Sequence, residues 1–427
     1  MPRSVIGNPD FVRLWIAETI SQFGTQVSLL ALPLVAVTLL QASPFEVALL
    51  GTIEFLPFIL FSLPAGAWVD RLRRRPILIA GDVGRAMALS SVPLAFMADA
   101  LSIWQLYVVG FVTGTLTVLF DVAYQSYLPS LVERDQLIDG NGKLEVSRTL
   151  AQTAGPALGG GLIGLVTAPL AILADAVSFG LSALFVLLIR RPEPSPDIHH
   201  DEHGRRRGSL VGEIRDGLRY VLGNRYLRGI AASTATFNFF GNIAQATFIV
   251  YAVRVLELQP AEIGIVFGLG NIGAIVGAIV TDRLRRRFGL GRSMVYAVAL
   301  SGPGVLLVAL APREAPIPFL IAAGLLTGFS AVVYNINQVS FRQAITPTAM
   351  QGRMNASMRF MVWGPIPIGQ LVGGTIATIF SIPAALWVGG LGAFLAVVPL
   401  LITPVRTLRD MPTPAEAEAP TGVDTAD

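Results

Sequence analysis

Of 427 residues, 53% are hydrophobic and only 14% charged, and mean hydropathy is +0.64, so polar surface is too scarce to cover a water-soluble globule of this size. The formal net charge of +3 and pI of about 9.4 read as topology rather than nucleic-acid binding, as the loop charges below explain. With no cysteine, disulfides, thiolate metal sites and thiol catalysis are excluded together.

Apolar runs of about 20 residues, each long enough to cross a hydrocarbon core of roughly 30 Å, recur twelve times. They are Phe11 to Thr38, Phe45 to Val69, Pro76 to Met97, Ile103 to Gln125, Ser147 to Val166 and Pro169 to Ile189, then Leu227 to Val250, Ala261 to Thr281, Ser293 to Ala311, Pro318 to Ser340, Met358 to Phe380 and Ala384 to Ile402. The runs are continuous rather than short and alternating, so helices and not a closed barrel must satisfy the backbone. The first passes through Pro33 without a small-residue cleavage pattern and is expected to be the first spanning helix. The predicted fold class is an all-α membrane protein with twelve transmembrane helices in two six-helix halves.

Lysine and arginine gather in alternate loops: Arg71 to Arg75, Arg134, Lys143, Arg190 to Arg228, Arg283 to Arg292, Arg342, Arg353, Arg406 and Arg409 on one side, against only Arg254 and Arg313 on the other. By the positive-inside rule the first side, with both termini, is expected in the cytoplasm, which makes this a multi-pass inner-membrane protein. The expected organisation is a six-helix half over 1–190, a cytoplasmic linker over 191–224, a second half over 225–410 and a disordered acidic tail over 411–427. Within the linker, Ile214, Leu218, Val221 and Leu222 have helical spacing, so Gly212 to Leu222 reads as a short amphipathic surface helix. His199, His200 and His203 lie in a Pro- and Asp-rich stretch without fixed geometry, so no metal site is expected.

The hexapeptide DRLRRR occurs twice, at Asp70 to Arg75 and Asp282 to Arg287, one half-length apart. Downstream of each copy come a Pro-marked turn and a Gly-Pro helix: YQSYLP and AGPALGGG, then FRQAITP and WGPIPIGQLVGG. Parallel six-helix repeats of this kind are a transporter plan with substrate sites near the midplane. Asp70 and Asp282 could face the positive end of a neighbouring helix while the arginines pair with acids of other loops, forming a gate; anchoring of topology alone is the plainer reading. Gly155, Pro156, Gly159 and Gly160 permit close helix approach and a bend, so they suit a hinge or a tight seam.

Other motifs are weaker. GLGNIG at Gly268 to Gly273 matches a dinucleotide fingerprint in letters, yet sits inside an apolar run with no preceding strand. Gly264 with Gly268, and Gly273 with Gly277, instead make two small-residue packing faces, with Asn271 between them. The Gly142-Lys143 pair lacks the rest of a phosphate-binding loop, so no nucleotide motor and no cofactor are expected.

A charge at the bilayer centre costs at least about 2.5–3.5 kcal/mol on insertion scales, so ionisable groups inside the runs need a reason. Glu54, near the middle of its run, is a candidate to load and release a proton; a hydrogen bond between helices would be a structural alternative. Glu18, Gln22 and Gln26 form one polar stripe at four-residue steps, and Asn238, Asn242 and Gln245 form another. Asp82 and Arg85 read as a locally neutralised structural pair, and Asp175 as peripheral. Phe237, Phe239, Phe240, Phe360 and Trp363 supply aromatic surface suited to an amphipathic ligand.

These residues resemble the major facilitator superfamily. Its Gly-x-x-x-Asp-Arg loop with basic residues is matched by Gly66, Asp70, Arg71, Arg74 and Arg75, with Arg73 replacing a glycine, and in the second half by Asp282, Arg283, Arg286 and Arg287 without the glycine at the family spacing. Its Gly-Pro-x-x-Gly-Gly signature, associated with antiporters, is matched by Gly155, Pro156, Gly159 and Gly160. ADAVSFGLSALFVLLIRRPE, GEIRDGLRYVLGNRYLRG and SFRQAITPTAMQGRMNAS further resemble the transmembrane secretion effector branch, which includes enterobactin and macrolide exporters; the resemblance spans Asn8 to Arg409.

The resemblance implies that helices one, four, seven and ten surround a cavity, adding Asp121, Gln125, Asn335 and Gln338 to the candidates. Two features of the wider family are missing: the fourth run has no arginine, and Thr25 stands where relatives often have an acid. The implied function is export of small amphipathic compounds, drugs or secreted metabolites such as siderophores, by alternating access and proton antiport, in a monomer. Uptake or uniport, or a transport-inactive sensor or assembly protein, are the alternatives. Proton-coupling candidates are Glu54, Glu18 and Asp121; the partners are the substrate, protons and the bilayer.

Only the first DRLRRR copy keeps its glycine at the family spacing. Asp70→Asn is therefore expected to cost more transport than Asp282→Asn when both are compared in everted vesicles; equal losses would overturn that preference.

Overall fold

In the computed structural model, residues 5–69, 72–133, 136–193 and 210–410 are described; Asp70, Arg71, Arg134, the three histidines and the acidic tail lie outside them. Among the described residues the chain is helical, without strands. The helices are α1 (Pro9–Leu34, continued by a π-helical turn Val35–Leu39), α2 (Pro44–Val69), α3 (Arg74–Met97), α4 (Ile103–Leu131), α5 (Leu137–Val166), α6 (Ala168–Leu187), α7 (Leu210–Gly223), α8 (Arg225–Arg254), α9 (Pro260–Gly270), α10 (Ile272–Phe288), α11 (Leu290–Ala309), α12 (Pro316–Ile345), α13 (Thr348–Trp363), α14 (Pro365–Ile379), α15 (Ile382–Phe394) and the short α16 (Val398–Ile402).

Among the described residues, ten spans are long and apolar enough to cross a membrane. Two of them, Pro260–Phe288 and Met350–Ile379, are interrupted at Asn271 and Gly364, and a third, Ile382–Ile402, runs from α15 into α16. The 30-residue helices α5 and α8 are long enough to cross as well and complete the twelve. Side chains such as Leu165 (85% exposed) and Phe380 (77%) face outward, as lipid contact permits.

Several helices outrun their apolar runs. α5 starts ten residues before Ser147 because LIDGNGKLEV is also helical, with the Lys143 ammonium 2.8 Å from Asp139 one turn away and the Val5 N–H donating to Asp139 at 3.1 Å. α1 begins at a cap in which Asn8 Oδ1 accepts from the N–H groups of Asp10 and Phe11, with Pro9 in the first turn, where no donor is needed. The expected surface helix forms as α7. It packs on α13 so closely that a Cβ at Gly217 would lie 2.5 Å from the Arg353 carbonyl oxygen.

Packing divides the chain into two compact units. The first holds the described residues within 1–204 together with Ala246–Leu269 and Gly373–Ile382. In it α1 packs on α5 and α6, α3 on α4 and α6, and α2 on α4, over a buried cluster that includes Phe11, Leu14, Tyr127, Leu131, Val186 and Ile189. The second unit packs α11 and α10 on α12, over Leu227, Ile230, Met294, Val333, Phe341 and Met358.

At the end of the first unit opposite its arginine-rich loops, α8, α9 and α14 contribute their ends to the packing. The Arg254 guanidinium donates to the carbonyl oxygens of Ala42 at 2.8 Å and Val37 at 3.3 Å, and the Phe45 N–H donates to Thr378 Oγ1 at 3.1 Å. α5 meets α9 through glycine: a Cβ at Gly160 would lie 2.3 Å from the Pro260 carbonyl oxygen, and one at Gly264 would lie 2.3 Å from that of Pro156. Gly268 belongs to the same seam, whereas Gly273 and Gly277 press against α12 in the second unit. α5 itself continues unbroken through Pro156.

A side chain at Gly160 therefore overpacks the seam, a change that costs about 1–3 kcal/mol in packed interiors. Gly160→Val should lower the thermal unfolding midpoint of the purified protein measurably. Gly161→Ala, where a Cβ meets nothing within 4 Å, should leave it unchanged or raise it.

Candidate functional site

Helices α1, α2, α3, α4 and α6 enclose a cavity of about 300 Å³ in the first unit, and its wall carries four carboxylates, Glu18, Glu54, Asp121 and Asp175, with one guanidinium, Arg85. The polar stripe of α1 brings Gln22 one turn from Glu18, whose Oε1 accepts from Gln22 Nε2 at 2.7 Å; Oε2 is buried without a partner. Glu54 fits because α4 turns glycines toward it. A Cβ at Gly110 would stand 2.8 Å from Glu54 Cγ, and one at Gly114 would stand 2.5 Å from the Glu54 carbonyl oxygen. Among the described residues Glu54 has no hydrogen-bond or ion-pair partner.

One expectation is extended here and one is corrected. Asp82 and Arg85 do form a close pair, Nη2 to Oδ1 at 2.5 Å, with Asp82 fully buried and its Oδ2 accepting from Ser182 Oγ at 2.7 Å. Yet the pair is more than local. The guanidinium lies 4.4 Å from the Phe120 ring centroid and 4.1 Å from that of Phe179, lines the cavity, and interacts electrostatically with Glu18, Asp121 and Asp175. An arginine from α3 thus stands in the space where α4 offers none.

Asp175 is not peripheral: it is 1% exposed and lines the same cavity. α6 packs along α1 at Gly24, where a Cβ would lie 2.5 Å from Asp175 Oδ1, so the carboxyl is carried inward. The cost of an intramembrane charge, which singled out Glu54, applies equally to Arg85 and Asp175 and was the signal for both.

The second unit holds a larger cavity of about 580 Å³ between α8, α11, α12 and α13, and Asn238, Asn335, Gln338, Phe237 and Trp363 all line it. Asn238 Nδ2 donates to the Val362 carbonyl oxygen at 2.7 Å, and Gln338 Nε2 to Asn335 Oδ1 at 2.8 Å. Arg342 and Arg359 line it too, although their charge had counted only toward topology or not at all.

Other candidates lie elsewhere. Gln26, on the same stripe as Gln22, packs against Gly155 of α5 instead of lining the cavity. Gln125 and Gln245 are exposed, Asn242 donates back to the Asn238 carbonyl oxygen at 2.8 Å, and Asn271 marks the α9/α10 break. Phe239 and Phe240 meet each other edge to face, and Phe360 is exposed.

Of the gating-loop candidates, Gly66 lies in the closing turns of α2. The acid that meets the start of α3 is Glu193: it accepts from the N–H groups of Arg74 at 2.6 Å and Arg75 at 3.1 Å, while the Arg75 guanidinium donates to the Val186 and Leu187 carbonyl oxygens. In the second unit Asp282 pairs with Arg285 and Arg286 on its own helix, Arg283 is exposed, and Arg287 lies over Phe288. Among the hinge candidates, Gly155 and Gly159 face Gln26 and Val27 of α1, and Pro156 and Gly160 face α9.

A family model described as transmembrane secretion effector matches residues 4–422. The chain is 26% identical to the multidrug efflux pump Tap of Mycobacterium tuberculosis, covering 97% of this chain and 98% of that protein. It is 23% identical to the enterobactin exporter EntS of Shigella boydii, covering 96% of each. Among solved structures, a bacterial homologue of the iron transporter ferroportin in its inward-facing state superposes with a TM-score of 0.74 over 93% of this chain and 99% of that one, at 16% identity, a likeness of fold.

Arg85→Gln leaves Asp82 buried without its counter-charge, which in proteins costs about 3–5 kcal/mol. The variant should lose much of its thermal stability, and Asp82→Asn combined with Arg85→Gln should recover part of it. Additive losses in the double variant would show that the two charges do not act as a pair.

Proposed function

The chain belongs to the transmembrane secretion effector family of membrane transporters, and we propose that it exports small amphipathic compounds across the cytoplasmic membrane by proton antiport with alternating access. The observation that carries this reading is the single buried cavity holding Glu18, Glu54, Asp121 and Asp175 around Arg85. Four carboxylates facing one guanidinium in a space of about 300 Å³ repel one another unless protons or a cationic group neutralise them. Glu54, with no partner among the described residues, is the group freest to exchange its proton. Glu18, already bonded to Gln22 through one oxygen, and Asp121 share the load.

Relatives named as a multidrug efflux pump and an enterobactin exporter support the outward direction. The arginine-rich loops support a cytoplasmic position for that side and for both termini. In this reading the α5–α9 glycine seam and the Arg254 contacts hold the outer side shut, and both must part when substrate leaves. The Glu193 clamp on α3 serves the cytoplasmic side in the way assigned above to Asp70.

Everted vesicles with an acidic lumen, so that protons run outward, and no ATP should accumulate substrates from a panel of amphipathic compounds. Glu54→Gln should abolish the gradient-driven part, at least about a tenfold loss if a single carboxyl carries the proton, with protein level unchanged. Absence of gradient-driven flux for the whole panel would overturn antiport. Wild-type pH dependence in Glu54→Gln would remove this residue from coupling.

A further inference from the structure

The cavity of the second unit is electrostatically the reverse of the first: among its lining residues there is no carboxylate, and there are two guanidiniums, Arg342 and Arg359. Tyr334, Gln338 and Arg342 stand at four-residue steps on α12, so one face of the helix presents all three to the cavity. Several polar groups there are already committed. The Tyr334 hydroxyl lies 2.8 Å from Thr234 Oγ1, and the Asn238 amide donates to the Val362 carbonyl oxygen.

What remains open is specific. Arg342 Nε is buried without a hydrogen-bond partner, and Arg342 has no ion-pair partner among the described residues. Gln338, only 5% exposed, leaves its Oε1 buried without a donor. Arg359 is held over the Trp363 ring at 5.1 Å. A guanidinium stays charged across the physiological range, and a partly buried one without a counter-ion is costly, so the cavity favours an anion. A volume of about 580 Å³ with Phe237, Tyr334 and Trp363 in its wall suits an aromatic compound of drug size.

We propose that this cavity binds the organic anion of an aromatic amphipathic compound, with Arg342 as its counter-charge and Trp363 and Phe237 as the apolar wall. Calling that compound a substrate rests on the export reading above; the binding itself does not. The anion accepts charge-assisted hydrogen bonds from the Arg342 fork, and Gln338 Oε1 accepts from a hydroxyl or amide N–H of the same ligand.

The test uses the full chain in lipid nanodiscs, with empty nanodiscs subtracted, and three probes of one shape: 1-pyrenebutyrate, 1-pyrenebutanol and 1-pyrenebutylamine. The butyrate should bind at least about tenfold tighter than the alcohol, the gain expected of a hydrogen bond to a charged group, and the cationic amine should bind weakest. Arg342→Gln should erase the preference for the butyrate while alcohol binding changes less than about twofold, which also reports that the cavity is intact. Arg342→Lys should fall between, keeping the charge without the fork.

Equal binding of butyrate and alcohol by the unsubstituted protein would overturn the proposal even if Arg342→Gln failed to fold, as would a preference that survives in Arg342→Gln. Loss of the anion preference with gradient-driven export intact would strike this site alone. Arg342-dependent binding without any gradient-driven export would strike the export reading alone.

Discussion

The pair of charges three residues apart on α3, Asp82 and Arg85, joined at 2.5 Å inside an apolar bundle, organises the first unit. Neither group is affordable alone at that depth, and together they still need further partners. Ser182 of α6 supplies one to the acid, and Phe120 of α4 and Phe179 of α6 supply ring faces to the guanidinium. Three helices are thereby fixed around one ion pair. The same guanidinium then sets the field in which Glu18, Asp121 and Asp175 sit, so the structural requirement and the chemistry of the cavity share one side chain.

Close backbone approach is the second constraint. Gly110 and Gly114 make room for Glu54 on the cavity side, and Gly24 makes room for Asp175. Gly160 and Gly264 bring α5 and α9 together at a distance no side chain would allow. In lipid, where apolar faces gain little from leaving the solvent, such approaches are a main source of helix association. A seam built on glycine backbone contacts has no long side chains to disentangle when it opens, which suits the switching role proposed for it.

The two cavities divide the charge between them. Carboxylates gather in the first unit and guanidiniums in the second, each within its own packing unit. A proton carrier benefits from carboxylates whose charge can be cancelled, while recognition of an organic anion benefits from a cation that cannot lose its charge. The proposed division of labour follows from that difference in chemistry.

Much of the molecule was legible from residue order alone. The scarcity of polar surface dictates lipid as the solvent, the spacing of apolar runs dictates the spans, and the glycine pairs around Asn271 dictate two packing faces, because each depends only on composition or helical period. Period says which residues share a face, but not where that face points. Gln22 and Gln26 lie on one stripe, yet Gln22 reaches the cavity and Gln26 packs against Gly155, because α5 covers that part of α1. Likewise Glu193 meets the start of α3 across more than a hundred residues of chain, and Arg342 finds no acid among the described residues, by the rotation and docking of helices. Tertiary structure alone decided those outcomes, because burial and pairing of a charge depend on neighbours brought from distant parts of the chain.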